Sequence, residues 1–130
     1  MSKIRKYIIV DDDPINNIIC KMMMESTLGG LEVKTFEVPE EGLAFIQNEC
    51  INSLEPIILF LDINMPTLTG WEFMEQYEKF TEEIKSQIRI YIVSSSLDPY
   101  DIDKAERNKY IKGFISKPLK REMILSIAAA

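Results

Sequence analysis

Ile57-Ile58-Leu59-Phe60-Leu61-Asp62-Ile63-Asn64-Met65-Pro66-Thr67-Leu68-Thr69-Gly70 decides the fold of this chain. Five consecutive apolar residues run into a single carboxylate, with Pro56 before them and a loop punctuated by Pro66 and Gly70 behind. An unbroken apolar run of strand length implies a strand covered on both faces, as in parallel sheets sandwiched between helices. In such folds ligands bind beyond the carboxyl ends of the strands, and Asp62 stands at one. A carboxylate in that place caps the next turn, coordinates a cation or acts as a nucleophile, and the other strand ends must choose among these.

Working outward, Lys6-Tyr7-Ile8-Ile9-Val10 is a second β-branched run that stops at Asp11-Asp12-Asp13-Pro14. Asp13 suits an N-cap and Pro14 a first helical position, and Ile15, Ile18, Ile19, Met22 and Met23 recur at helical spacing, so they are expected to face the core until Gly29-Gly30 ends the helix. Glu32 to Phe36 alternates polar and apolar residues, the pattern of an outer strand. A helix from about Pro39 is expected to turn Leu43, Ala44 and Ile46 inward and to fray near Asn48, before a polar connection to Pro56. After the opening stretch, a helix from about Gly70 carries Phe73, Met74, Tyr77 and Phe80. Ile88 to Val93 forms a fourth strand ending at Ser94-Ser95-Ser96. Asp98-Pro99 opens a helix reaching about Lys109, with only Ile102 and Ala105 to anchor it. Gly113 to Ser116 is a short fifth strand, Lys117-Pro118 a turn, and Leu119, Met123, Ile124 and Ile127 mark a last helix. Five strands alternating with five helices predict an α/β fold, a (βα)5 doubly wound parallel sheet in the order 2-1-3-4-5. That order brings Asp11 and Asp12 beside Asp62.

The bulk numbers agree with a single domain over 1–130, in which Ala128-Ala129-Ala130 reads as a cloning remnant or a cut point. With 46% hydrophobic and 28% charged residues the composition is that of a globular protein. No apolar run is long enough for a bilayer, and the run after Lys3, Arg5 and Lys6 is too short for a signal peptide, so the cytoplasm is the expected compartment. A net charge of −6 argues against direct nucleic-acid binding. The absence of histidine excludes histidine triads, histidine-ligated zinc and an internal phosphohistidine. Cys20 and Cys50 lack metal-site spacing and read as reduced thiols without a special role.

Three carboxylates at one sheet edge repel one another unless a counter-ion relieves them. An oxygen-only donor set selects a hard cation, Mg²⁺ being the abundant one, with a further oxygen available from the backbone carbonyl of Asn64. Asp13 and Asp98, each followed by proline, are assigned to helix caps, and Trp71 and the methionines to packing.

Asp11-Asp12 after the first strand, Asp62 with Met65-Pro66 and Gly70 after the third, Ser94 after the fourth and Lys117-Pro118 after the fifth resemble the response-regulator receiver domain family, the CheY-like proteins. The resemblance spans essentially the whole chain, and its force lies in the joint order of the motifs. It implies that Asp62 is the phosphoacceptor for a group carried on a partner's histidine, that Asp12 binds Mg²⁺ directly and that Asp11 does so through water. Lys117 is implied to pair with Asp62 at rest and with a phosphoryl oxygen after transfer, Ser94 to contact another phosphoryl oxygen, and Phe114 to be the aromatic switch. Strand five lies roughly 10 Å from strand three at normal spacing, so Lys117 must be aimed back, which a cis bond before Pro118 achieves. The implied partners are a sensor histidine kinase or histidine phosphotransfer protein and an unidentified downstream protein reading the face of the fourth and fifth strands.

Two departures stand out. Ser94 occupies a place where threonine is usual and lacks its methyl group, and Phe114 occupies one often held by tyrosine and lacks its hydroxyl. A rival reading is a Mg²⁺-dependent phosphatase of the haloacid dehalogenase type, which needs an acid two residues after the nucleophile; Asn64 stands there and cannot serve as a general acid. Another is a receiver-like module that binds partners without phosphorylation. The receiver reading implies a phosphoacceptor and not a turnover enzyme.

Overall fold

The computed structural model describes residues 6–50 and 55–129; Lys3 and Arg5, most of the connection leading to Pro56, and Ala130 lie outside the described residues. The elements are β1 (Lys6–Val10), α1 (Pro14–Thr27), β2 (Glu32–Phe36), α2 (Pro39–Glu49), β3 (Ile57–Asp62), α3 (Gly70–Tyr77), α4 (Glu82–Lys85), β4 (Ile88–Ser94), α5 (Pro99–Arg107), β5 (Ile111–Ser116) and α6 (Arg121–Ala129). The strands form one parallel sheet in the order β2-β1-β3-β4-β5. Val10 pairs with Leu61, Asp62 with Val93 and Ser94 with Ser116, so the carboxyl ends of four strands share one edge.

All of β3 is buried, and its pleat divides it between two cores. Ile57, Leu59 and Leu61 pack with Ile46, Phe73, Tyr77, Ile84 and Ala105 under α2 to α5. Ile58 and Phe60 pack with Cys20, Met24, Ile124 and Ile127 under α1 and α6. Each large side chain so buried contributes about 1.5–3 kcal/mol, which is why this central strand needs no polar residue until Asp62.

The inward face of α1 differs from the expectation. Ile15, Ile18, Ile19 and Met22 are 54–67% exposed, while Asn17, Cys20 and Met24 are buried. The helix is apolar almost all round, so periodicity cannot choose its phase. The choice is made by Asn17, whose Nδ2 donates to the Asp11 backbone carbonyl at 2.8 Å. In α2 the buried face is Pro39, Gly42 and Ile46, which leaves Ala44 on the opposite side and exposed. Met123 is likewise 41% exposed, one position out of phase with Ile124 and Ile127.

A sixth helix, the single turn α4, was not expected, because four residues carry no readable period. It buries Lys85, whose Nζ donates to Glu78 O at 2.9 Å and to the Tyr110 hydroxyl at 3.1 Å. Phe80 lies beyond the end of α3, half-buried against the same core. The sparse anchoring of α5 is as expected: Ala105 alone is fully buried on it, and Trp71 Nε1 ties it to α3 through Asp101 at 2.9 Å. Ala128 is buried within α6 and Ala129 extends that helix.

Candidate functional site

Asp11 follows β1 directly and is 3% exposed. Its Oδ1 accepts the Asp13 N–H at 2.9 Å, and its Oδ2 accepts Asn16 Nδ2 at 2.8 Å and Lys117 Nζ at 2.7 Å. Asp13 caps α1 by accepting the N–H groups of Ile15 and Asn16, and Asp98 caps α5 by accepting that of Tyr100. Asp12, between the two roles, is exposed.

Asp62 is the last residue of β3 and 5% exposed, yet it is lightly held. Its Oδ1 accepts the Asn64 N–H at 3.4 Å and lies 3.6 Å from Lys117 Nζ. Burial, reinforced by the negative charge of Asp11, pushes the Asp62 carboxyl up from 3.8 to about 6, and Lys117 opposes this only in part. Carboxylate oxygens of Asp11, Asp12 and Asp62 all lie within 4.8 Å of one another.

The loop behind Asp62 is shaped by Gly70. A Cβ there would stand 2.8 Å from both Asp62 O and Ile63 Cα, so glycine alone lets α3 begin this close to the strand end. The Gly70 N–H donates to Ile63 O at 2.8 Å, and a Thr69–Glu72 capping box starts the helix.

Lys117 arrives from the end of β5. Its backbone N–H donates to Ser94 O at 2.8 Å, and the Lys117–Pro118 bond is cis. The side chain reaches across β4 to both acids. Burial works to lower its pKa, but the hydrogen bond and charge of Asp11, with Asp62, outweigh it and the net shift is upward. The expected resting pair with Asp62 is therefore the weaker of two contacts. Asp11, already oriented by two other donors, presents the better placed oxygen.

Ser94 is fully buried and its Oγ accepts the Ser96 N–H at 3.1 Å. Phe114 is half-buried on β5 and lines a groove of 540 Å³ with Leu97, Ile102 and Ala105. Cys20 and Cys50 are buried free thiols, and burial pushes Cys50 up to about 11. Sequence reasoning missed Asn16 and Asn17, although two adjacent amides in the apolar first half of α1 were a visible signal.

A doubly wound parallel sheet in the order β2-β1-β3-β4-β5, with an acid pocket at its switch point, places the chain in the class of flavodoxin-like α/β folds, which bind their ligands at this edge. Within it the response regulator receiver domain profile matches residues 7–129, and the chain belongs to that family. It is 26% identical over 123 residues to the Dictyostelium discoideum hybrid signal transduction histidine kinase C, covering 92% of this chain and 9% of that protein. Against the probable C4-dicarboxylate response regulator DctR of Bacillus subtilis it is 26% identical over 117 residues, covering 90% of this chain and 47% of the relative. The chain thus spans less than half the length of either. A two component response regulator structure from Cytophaga hutchinsonii superposes with a TM-score of 0.86 at 28% identity, covering 96% of this chain and 94% of the other. Membership of the family disfavours the phosphatase reading. No helix among the described residues is long and apolar enough to cross a membrane.

Proposed function

We propose that Asp62 accepts a phosphoryl group from a phosphohistidine on a partner protein. The observation that carries the reading is the convergence of three carboxylates within 4.8 Å of one another, with the Lys117 ammonium on two of them. The donor set is oxygen only and fits a hard divalent ion: Asp12 and Asp62 would hold Mg²⁺ directly, Asp11 through water, and the Asn64 carbonyl would complete the protein ligands. The neighbouring carbonyl of Ile63 is already engaged by Gly70. When bound, Mg²⁺ supplies positive charge to the phosphoryl oxygens.

In the transfer an Asp62 carboxylate oxygen forms a new P–O bond as the P–N bond to the imidazole breaks. The imidazole leaves with the bonding electron pair and takes a proton from solvent. Lys117 shifts from the acids to a phosphoryl oxygen, and Ser94 donates its hydroxyl to another. Phe114 then responds through ring burial, since it has no hydroxyl to bond inward, and the groove it shares with Leu97 and Ile102 is read by a downstream partner. Asn64 supplies no general acid, so the acyl phosphate persists as a signal instead of turning over. The compartment that suits such a module is the cytoplasm.

The exposed apolar row on α1, Ile15, Ile18, Ile19 and Met22, leads away from the Asp11 to Asp13 mouth. A donor that delivers its histidine to buried Asp62 must rest beside that mouth, and this row is its docking face. Acetyl phosphate with Mg²⁺ tests the core reading: intact mass is expected to show one phosphoryl group on the wild type and none on Asp62→Asn. Equal labelling of the two would refute the assignment.

A further inference from the structure

We propose that Asn16 is a positioning residue of the acid pocket, keeping the Asp11 carboxylate in the orientation that serves Mg²⁺ both before and after Lys117 moves to the phosphoryl group. The inference rests on the reading of Asp11, Asp12 and Asp62 as the Mg²⁺ site.

Asp11 is held by a closed circuit. The Asp13 N–H donates to Asp11 Oδ1 at 2.9 Å, the Asn16 backbone N–H to Asp13 Oδ1 at 3.3 Å, and Asn16 Nδ2 to Asp11 Oδ2 at 2.8 Å. Lys117 shares that same Oδ2 at 2.7 Å. A carboxylate gripped on one oxygen alone can still turn about its Cβ–Cγ bond, whereas donors on both oxygens fix its plane. Lys117 reaches Oδ2 on a long flexible stem and carries a point charge, so it neutralises the oxygen without fixing its direction, whereas the short Asn16 amide, set by the first turns of α1, orients it from the start. When Lys117 leaves, Asn16 is the side chain that keeps Oδ2 engaged, and Asp11 stays aimed at the ion's water.

The residue type matters in both directions. An acid at position 16 would add a further negative charge beside a pocket already crowded with carboxylates. An apolar side chain would leave Oδ2 to the departing lysine alone. Asn16 is suited to this by its place in the first turns of α1, where the Asp13 cap fixes its backbone and Asn17 holds the Asp11 carbonyl.

The test is Mg²⁺ binding by calorimetry, with no phosphodonor, on wild type, Asn16→Ala, Asp11→Ala and the double variant, with melting followed in parallel. Asn16→Ala is expected to weaken Mg²⁺ binding about tenfold, as partners behind metal ligands commonly do. Asn16→Leu, similar in size but without the donor, is expected to match it. Because Asn16 acts through Asp11, the double variant is expected to bind no more weakly than Asp11→Ala. Wild-type affinity in Asn16→Ala, or a full tenfold loss added on top of Asp11→Ala, would overturn the proposal while leaving the Mg²⁺ site intact. A wild type that binds no Mg²⁺ would overturn the site and this inference together.

Discussion

The ends of β1 and β3 carry two buried carboxylates that share one lysine and are treated in opposite ways. Asp11 receives three donors on its carboxylate at 2.7–2.9 Å. Asp62, one strand away, has a backbone N–H at 3.4 Å and the same lysine at 3.6 Å. A carboxylate that must attack phosphorus needs an unengaged lone pair, and one that must orient an ion's water needs a fixed plane. The contrast teaches that burial sets the electrostatic tension of the pocket while the distribution of donors decides which acid is held still and which keeps open lone pairs, the division that the proposed function uses. Asp62 carries that tension, with its carboxyl raised to about 6.

Removing the shared lysine is the harshest way to break the comparison. Lys117→Ala leaves both buried acids without their counter-ion and is expected to destabilise the metal-free protein by about 3 kcal/mol, the low end for a buried pair because the lysine side chain is one-fifth exposed. Urea unfolding with a chelator present measures this, and the loss should be larger at pH 8 than at pH 5, where Asp62 is protonated.

Asp62→Asn sharpens the comparison from the other side. The folded state holds the Asp62 proton up to about pH 6, whereas the unfolded chain releases it near 3.8. Stability from this group is therefore complete below 3.8 and is lost as pH rises through 6. The amide is expected to stabilise the metal-free protein by roughly 2–3 kcal/mol at pH 8 and by almost nothing at pH 3.5, whereas Asp11→Asn, whose amide nitrogen cannot accept from Asn16 and Lys117 as Oδ2 does, should not stabilise at any pH.

The smallest expected effect lies on α1, away from both acids. Ile18→Lys should change stability by less than about 0.5 kcal/mol, since the side chain is 58% exposed, and should leave labelling by acetyl phosphate unchanged. Transfer from a phosphorylated histidine phosphotransfer protein that labels the wild type is expected to slow. Unfolding of this variant would restore the core-facing phase of α1.

The sheet and its acid-lined edge were legible because buried parallel strands write themselves as apolar runs, and three of those runs stop at an acid or a hydroxyl. Asp62 and Lys117 could be placed on one edge from topology alone. The phase of α1 was not legible, because Ile15, Ile18, Ile19, Cys20, Met22, Met23 and Met24 surround the helix and the deciding residue is a polar one, Asn17. Nor could the grip of Lys117 on Asp11 be read, since it depends on where Asn16 and the Asp13 N–H have already turned that carboxylate. Those are contacts among side chains and turns, and no hydrophobic period records them.

The most direct measurement asks which of the two carboxylates carries the phosphoryl group. After acetyl phosphate and Mg²⁺, borohydride reduction converts an acyl phosphate into a homoserine residue that peptide mass spectrometry can place. Homoserine is expected at position 62, with unmodified aspartate at 11 and 12; homoserine at 11 or 12, or none in a protein that binds Mg²⁺, would contradict the assignment of Asp62.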